Sequence, residues 1–177
     1  MKKFLLTAVV AVFALAANAQ VWIGGSLGAS TSKDSYKGLD NTTNEVTIAP
    51  TIGYTYDDNW DFVLEIGYAH GEDGATTNSF GISPYARYKF VKAGNFKAFL
   101  DGGFSYANVH FKGDDDNANV WKIFIQPGVS YDLSKKVCID AKFGDLSYNF
   151  TKKGDLKNNT FNLKMDSDIS FGIYYKF

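Results

Sequence analysis

The sequence contains only one cysteine, three prolines and two methionines among its 177 residues. Because Cys138 has no second cysteine to pair with, an internal disulfide is excluded, and the C-x-x-C spacing of zinc and redox sites is absent. The net charge of -1 excludes the basic stripe that nucleic-acid binding requires. Beyond the N-terminal segment, no stretch is long and apolar enough for a membrane-spanning helix, and none shows helical periodicity. These absences favour strands over helices.

The N-terminal segment, MKKFLLTAVVAVFALAANAQ, has the order of parts typical of a secretory signal peptide. Lys2 and Lys3 are followed by an apolar run over residues 4–17 and by the small-residue pattern Ala17-Asn18-Ala19. A retained membrane anchor is the alternative, but the run is shorter than the ~20 apolar residues of a spanning helix. We therefore predict a signal peptide over residues 1–19 and a single domain over residues 20–177.

Glycine, tyrosine and phenylalanine are abundant, with 17, 11 and 15 residues, which is typical of strands and turns. Apolar residues alternate with polar or small residues in eight segments, and this period of two predicts eight half-buried strands. The third segment shows the pattern, with Trp60, Phe62, Leu64, Ile66 and Tyr68 alternating with Asp61, Val63, Glu65, Gly67 and Ala69. The first strand, residues 21–30, has the weakest pattern. A slip of the alternation near Gly144 and Asp145 predicts a β-bulge.

The predicted connections alternate between short and long along the chain. The short ones are residues 57–59, 91–95 and 132–136, and the long, polar ones are residues 32–44, 71–78, 113–119 and 151–159. Short turns at one end and long loops at the other are typical of an antiparallel up-and-down meander. We predict an all-β protein that folds as an eight-stranded antiparallel up-and-down transmembrane β-barrel.

The volume of the side chains decides which face of the predicted barrel points outward. An eight-stranded barrel encloses a lumen just wide enough to be filled by side chains. The large apolar residues of each strand are too bulky for that lumen, whereas the alternate set of Gly, Ala, Ser, Thr and charged residues is not. We therefore predict an apolar exterior, as expected in a bilayer. Aromatic girdles are predicted at the rims, formed by Tyr54, Tyr56, Trp60 and Phe62 at one and by Tyr68, Phe80, Tyr106 and Trp121 at the other.

Charged residues of the strands fall on the predicted inward face. This set consists of Asp61, Glu65, Arg87, Lys89, Lys97, Asp101, Lys122, Asp140, Lys142, Lys164, Asp166, Asp168 and Lys176. Six are acidic and seven are basic, so near-complete pairing is possible, and an unpaired buried charge would be costly. We interpret the set as a structural polar network that fills the lumen, with an ion pathway as the alternative.

The signal peptide, the eight amphipathic strands, the alternating connections and the final strand ISFGIYYKF resemble one family. It is the family of small outer-membrane β-barrels, of the porin-family type, typified by OmpX and the transmembrane domain of OmpA. In that family, alternate apolar residues of the last strand are the signal read by the barrel-assembly machinery. Phe171, Ile173, Tyr175 and Phe177 match this signal. The resemblance implies a cell-envelope protein in the outer membrane of a Gram-negative bacterium, with both termini in the periplasm.

The resemblance also implies partners and a class of function. The expected partners are outer-membrane lipid and lipopolysaccharide, the barrel-assembly machinery during biogenesis, and a surface ligand or host protein bound by four extracellular loops. Members of the family stabilise the envelope or bind at the cell surface, so we expect a non-enzymatic structural or surface-binding protein without a cofactor. A small porin-like pore is the main alternative, and a lipid A-modifying enzyme is the least favoured one.

Three local patterns were weighed as binding or catalytic sites. His70 and His110 lack the His-x-Ser spacing of the lipid A deacylases in the resembling barrels, so we predict no catalytic site. The acidic run at residues 113–117 lacks the ligand order of a calcium loop and is interpreted as a solvated loop tip, so we predict no metal site. The glycines of residues 24–28 have neither the following helix nor the lysine of a phosphate-binding loop.

Overall fold

The alternation of the sequence is realised as eight antiparallel strands. The computed structural model describes residues 21–36, 39–73, 75–112 and 117–177, without the side chains of 30–36, 39–44, 72, 73, 75, 76 and 164–168. The strands are β1 (Val21–Tyr36), β2 (Leu39–Thr55), β3 (Trp60–Asp73), β4 (Ala75–Ala93), β5 (Phe96–Phe111), β6 (Ala118–Asp132), β7 (Val137–Lys153) and β8 (Leu156–Lys176). The predicted signal peptide lies outside the described residues.

Each strand pairs with the next along the chain, and β8 pairs with β1, so the sheet closes into a barrel. The closing seam runs from the pair Trp22–Lys176 to the pair Ser30–Asp168. Closure removes the two free edges that an open sheet would expose, which is the condition for a sheet in hydrocarbon. The predicted eight-stranded up-and-down barrel is confirmed. No helix in the described part of the chain is long and apolar enough to cross a membrane.

The long connections between strands are shorter than the sequence predicts, because strand pairing continues through most of residues 32–44, 71–78 and 151–159. The pairs Tyr36–Leu39, Asp73–Ala75 and Lys153–Leu156 close three hairpins. The last of these turns at Gly154, whose φ of 55° favours glycine. Because a polar strand keeps its backbone hydrogen bonds once its neighbours are aligned, polarity alone does not end a strand. Residues 113–116 of the predicted acidic run lie outside the described residues, whereas Asn117 is described.

The strands are therefore longer than a membrane requires. They contain 14 to 21 residues, whereas a tilted strand needs about 9–11 residues to span the hydrocarbon. The surplus lies at the hairpin end of the barrel, opposite the short turns. We call these projecting segments the long hairpins and the other end the short-turn end.

A β-bulge occurs where the alternation of the sequence slips. The pairing of β7 with β8 shifts register between Phe143 and Asp145, and Gly144 between them has a φ of 71°. The left-handed conformation suits glycine because it has no Cβ. The predicted bulge is confirmed, and it turns Asp145 to the lumen.

The three prolines mark interruptions of the ladder on one side of their strands. Pro50 on β2 has a pairing partner on β1 but none on β3. Pro84 on β4 likewise has a partner on β3 but none on β5. The register between β6 and β7 shifts across Pro127. Because proline has no N–H to donate, its place in a closed barrel is a position where one ladder bond is missing.

The two faces of the wall are as unlike as predicted. Phe62, Leu64 and Ile125 are 53%, 36% and 48% exposed on the outside, while Arg87 is 5% exposed inside. In water this exterior would aggregate, and in a bilayer it is the expected surface. The residues of both predicted aromatic girdles have the outward parity. At the short-turn end, the rings of Trp60 and Tyr88 lie 4.7 Å apart.

Candidate functional site: the plugged lumen

Aromatic rings fill the middle of the lumen, and each faces a glycine on the neighbouring strand. Trp22, Val63, Tyr85 and Tyr174 form a buried cluster, with Phe124 packed against it. The glycines make room for the rings. The ring-bearing and glycine pairs are Trp22–Gly53, Tyr174–Gly24, Tyr85–Gly103 and Phe99–Gly128. Tyr85, Phe99, Phe124 and Tyr174 have the inward parity of their strands in the sequence, as predicted, whereas Trp22 lies in the first strand, whose weak pattern assigns it no face.

The centre of the ionic network is Arg87, which projects from β4. Its Nε and its second terminal nitrogen donate to the two carboxylate oxygens of Asp101 at 2.8 and 2.9 Å. Its other terminal nitrogen lies 2.9 Å from Oδ2 of Asp140 on β7. The ring of Phe99 lies 3.7 Å below the guanidinium carbon. Arginine suits this place because its planar fork binds a carboxylate with two hydrogen bonds and stacks on a ring.

Lys142 extends the network across the barrel. Its Nζ lies 3.4 Å from Glu65 on β3 and 3.5 Å from Asp101, and it donates to the hydroxyl of Tyr85 at 3.1 Å. The hydroxyl of Tyr174 donates to Oδ1 of Asp140 at 3.1 Å. The contacts of Lys142 join strands that are not neighbours in the sheet, so the network forms a plug. We use that name for Arg87, Asp101, Asp140, Lys142 and the rings around them.

Three smaller ion clusters lie around the plug. Lys89 donates to Asp61 at 2.8 Å. Near the short-turn end, Lys97 and Lys176 donate to the two oxygens of Asp132 at 2.5 and 2.6 Å. Toward the long hairpins, Lys122 pairs with Asp145, which also accepts a hydrogen bond from Ser147 at 3.1 Å.

The ion pairs in the described part of the chain join six carboxylates to six cations. Ten of the thirteen residues assigned to the inward face by the sequence take part. The side chains of Lys164, Asp166 and Asp168 lie outside the described residues. Sequence reasoning missed Asp132 and Asp145. Asp132 continues the inward alternation of β6 beyond Ser130. Asp145 turns inward because of the predicted bulge at Gly144. The sequence therefore contained a signal for each residue.

The plug lies between two cavities of the lumen. A cavity of about 460 Å³ opens at the short-turn end and reaches Arg87 and Tyr174. A second cavity of about 240 Å³ lies toward the long hairpins and reaches Glu65 and Lys142. The buried ion pairs of Arg87 and Lys142 therefore lie between the two cavities. An eight-stranded barrel leaves little more room than side chains fill.

The two histidines lie on the outer face of the long hairpins, away from the plug. Nδ1 of His70 lies 2.9 Å from the Oδ1 of Asn78, and Nδ1 of His110 lies 2.8 Å from the Oδ1 of Asn117. Ser79 has the opposite parity to Asn78 and therefore points inward. The structure does not bring a serine to either imidazole in the part that it describes. Likewise, the described residues contain no group of three or more His, Cys, Asp or Glu that would hold a metal ion.

The predicted assembly signal lies on the exterior of the closing strand. Phe171, Ile173, Tyr175 and Phe177 are exposed on the outer face, and the backbone N–H of Phe177 donates to the carbonyl of Val21 at 3.2 Å. Their recognition by an assembly machinery stays a prediction. The contact also brings the described N-terminal residue and the last residue together at the short-turn end.

Comparisons with known proteins agree on the architecture. The sequence model of the family described as "Outer membrane protein beta-barrel domain" matches residues 4–167. The fold is similar to that of Neisserial surface protein A, with 18% identity over 89% of this chain and 97% of that one, and a TM-score of 0.64. OprG from Pseudomonas aeruginosa has 13% identity over 89% and 94% of the two chains, with a TM-score of 0.57.

The N-terminal β-barrel domain of Pseudomonas aeruginosa OprF is a third similar structure. It has 15% identity over 87% of this chain and 97% of that one, with a TM-score of 0.50. Identities of this size show a shared fold alone. No curated protein sequence matches the chain significantly.

Proposed function

Since the chain belongs to the outer membrane protein β-barrel domain family, we propose that it is a non-conducting, non-enzymatic outer-membrane barrel with a structural or surface-binding role. The observation that carries this proposal is the plug. Arg87 is held between Asp101 and Asp140, and an ion crossing the lumen would have to part these groups. Leaving one charge of such a buried pair without its partner costs about 3–5 kcal/mol, and this cost supports a lumen that stays closed.

The long hairpins are the part of the molecule that we propose to carry surface binding. They extend the wall beyond the span of the hydrocarbon and expose apolar side chains among polar ones. Leu156 at a hairpin tip is 76% exposed. Outer-membrane barrels have short periplasmic turns and long external segments. On that rule, we assign both termini to the periplasm and the long hairpins to the cell surface.

Planar-bilayer recording tests the proposal against its main alternative, a small pore. The two cavities favour that alternative, because they bring solvent to both sides of the plug. We expect purified, refolded protein to give no stable conductance steps. Reproducible steps of one size, which disappear when the protein is boiled before reconstitution, would contradict a closed lumen.

A second measurement addresses enzymatic activity. Because His70 and His110 face outward with asparagine partners, we expect no lipid A modification that depends on them. Mass spectra of lipid A from cells that produce the protein should match those from cells that produce a His70→Ala, His110→Ala variant. A modified lipid A species that is lost only with the variant would establish an enzyme.

A further inference from the structure

Two lysines face each other near the tip of the β7–β8 hairpin, and no described residue supplies them with a counter-charge. Lys152 and Lys157 are cross-strand partners, and both are exposed. Like charges directly opposite each other destabilise a sheet. Among the described residues, neither ammonium group has a hydrogen bond or an ion pair. The one carboxylate of this tip is Asp155, in the turn, and Lys153 contributes a further positive charge beside the ring of Phe111.

The two lysines belong to a continuous row of hydrogen-bond donors. Asn108, Asn119, Lys152 and Lys157 are successive cross-strand partners on β5, β6, β7 and β8. Since neighbouring strands are about 4.8 Å apart, the row spans roughly 14 Å. Oδ1 of Asn119 accepts hydrogen bonds from the hydroxyl of Tyr106 at 2.7 Å and from Asn108 at 3.2 Å. The amide NH₂ group of Asn119 therefore remains a donor.

An aromatic row places these donors at the depth of the lipid head groups. Tyr106, Trp121 and Phe150 lie side by side on the outer face, with ring centroids 5.5 Å apart in both pairs. Tyrosine and tryptophan concentrate where hydrocarbon meets head groups. Lys152 follows Phe150 by two residues, which is about 7 Å along a strand. The row of donors is therefore the first polar layer beyond the hydrocarbon.

We propose that this row binds a phosphate group of an outer-leaflet glycolipid. The facing ammonium groups of Lys152 and Lys157 hold the phosphate oxygens, the amides of Asn108 and Asn119 donate beside them, and the ring of Trp121 packs against the lipid below. The phosphate removes the repulsion between the two lysines, which explains why they face each other. The proposal rests on the assignment of the long hairpins to the cell surface, and it is independent of whether the lumen is closed.

Lipid binding by the full chain, refolded in detergent, tests the proposal. Lipid A with two phosphates is titrated, and bound lipid is counted by native mass spectrometry. We expect Lys152→Gln, Lys157→Gln to weaken binding about tenfold, since two charge-assisted contacts together supply roughly one factor of ten. The control is Lys135→Gln, an exposed lysine in a turn at the other end, which should bind as the parent does.

Two further lipid measurements identify the chemical group that is recognised. Dephosphorylated lipid A should bind the parent protein as weakly as it binds the double variant. Inorganic phosphate at millimolar concentration should not displace phosphorylated lipid A. Displacement would show a site for free phosphate and overturn the lipid assignment.

Equal affinity of the parent and the double variant for phosphorylated lipid A would overturn the proposal, as would equal affinity of the parent for both lipids. Folding of each variant is checked by its change in gel mobility on boiling. If the double variant fails this check, Lys157→Gln alone provides the comparison, with an expected loss of about threefold.

Discussion

Asp101→Asn is the sharpest perturbation of the plug. The Asp101 side chain is fully buried, and both of its oxygens accept hydrogen bonds from Arg87, while Lys142 lies 3.5 Å away. Asparagine keeps the shape and one acceptor oxygen. It removes the negative charge and turns an NH₂ group toward the guanidinium or toward the lysine, so two buried cations lose their shared counter-ion.

The size of the effect follows from what remains after the substitution. Removing one partner of a buried ion pair costs about 3–5 kcal/mol, because the other charge is left buried and unpaired. Arg87 keeps Asp140 at 2.9 Å, and Lys142 keeps Glu65 at 3.4 Å. The loss therefore lies at the lower end of this range, and we expect the free energy of unfolding to fall by about 3 kcal/mol.

Urea unfolding of the barrel in lipid vesicles, followed by tryptophan fluorescence, measures this change. The matched control is Asp58→Asn, the same substitution in an exposed turn, for which we expect no measurable change. If the two variants unfold at the same urea concentration with the same slope, the buried pair contributes nothing. The argument for a closed lumen would then fail with it.

Two further predictions follow from the packing of the lumen and from the face on which each tryptophan lies. In Gly53→Ala, the new Cβ would lie 2.1 Å from the ring of Trp22. We therefore expect the free energy of unfolding to fall by about 1–3 kcal/mol. Gly67→Ala, whose Cβ meets nothing within 4 Å, is the control, and equal losses in the urea assay would refute the clash. Bromine-labelled acyl chains should quench single-tryptophan proteins that retain Trp60 or Trp121 and spare one that retains Trp22. Strong quenching of Trp22 would contradict the assignment of the faces.

The faces of the strands could be predicted because the alternation of side chains along a strand does not depend on the twist or tilt of the strand or on its length. Arg87 and Asp101 have inward parity in the sequence, and both are inside. The pairing of particular charges could not be predicted. Arg87 reaches Asp140 across the lumen, and that distance depends on barrel closure and tilt, which no single strand encodes. The lengths of the long loops could not be predicted from their polar composition either, because backbone hydrogen bonds between strands form whether the side chains are polar or apolar.

The rings of the lumen show a second limit of reasoning from one strand at a time. The alternation within β5 assigns Phe99 to the inward face, but it does not show how a ring of that size fits into an eight-stranded lumen. Trp22 fits because Gly53 faces it on β2, and Phe99 fits because Gly128 faces it on β6. Whether a glycine opposes a ring depends on register. The register depends on the turns and bulges that connect and distort the strands, which the pattern of a single strand does not contain.

The plug and the long hairpins are two consequences of a barrel with few strands. The interior of eight strands is just wide enough to be filled by side chains, so the inward residues pack and pair, and they tie opposite walls, as Lys142 on β7 does with Glu65 on β3. On the function proposed above, these contacts hold the walls together and leave binding to the long hairpins. The exterior within the hydrocarbon must stay apolar. Polar binding groups on the outer surface are therefore confined to the segments beyond the hydrocarbon, and Lys152 and Lys157, which pair across β7 and β8, belong to such a segment at the long-hairpin end.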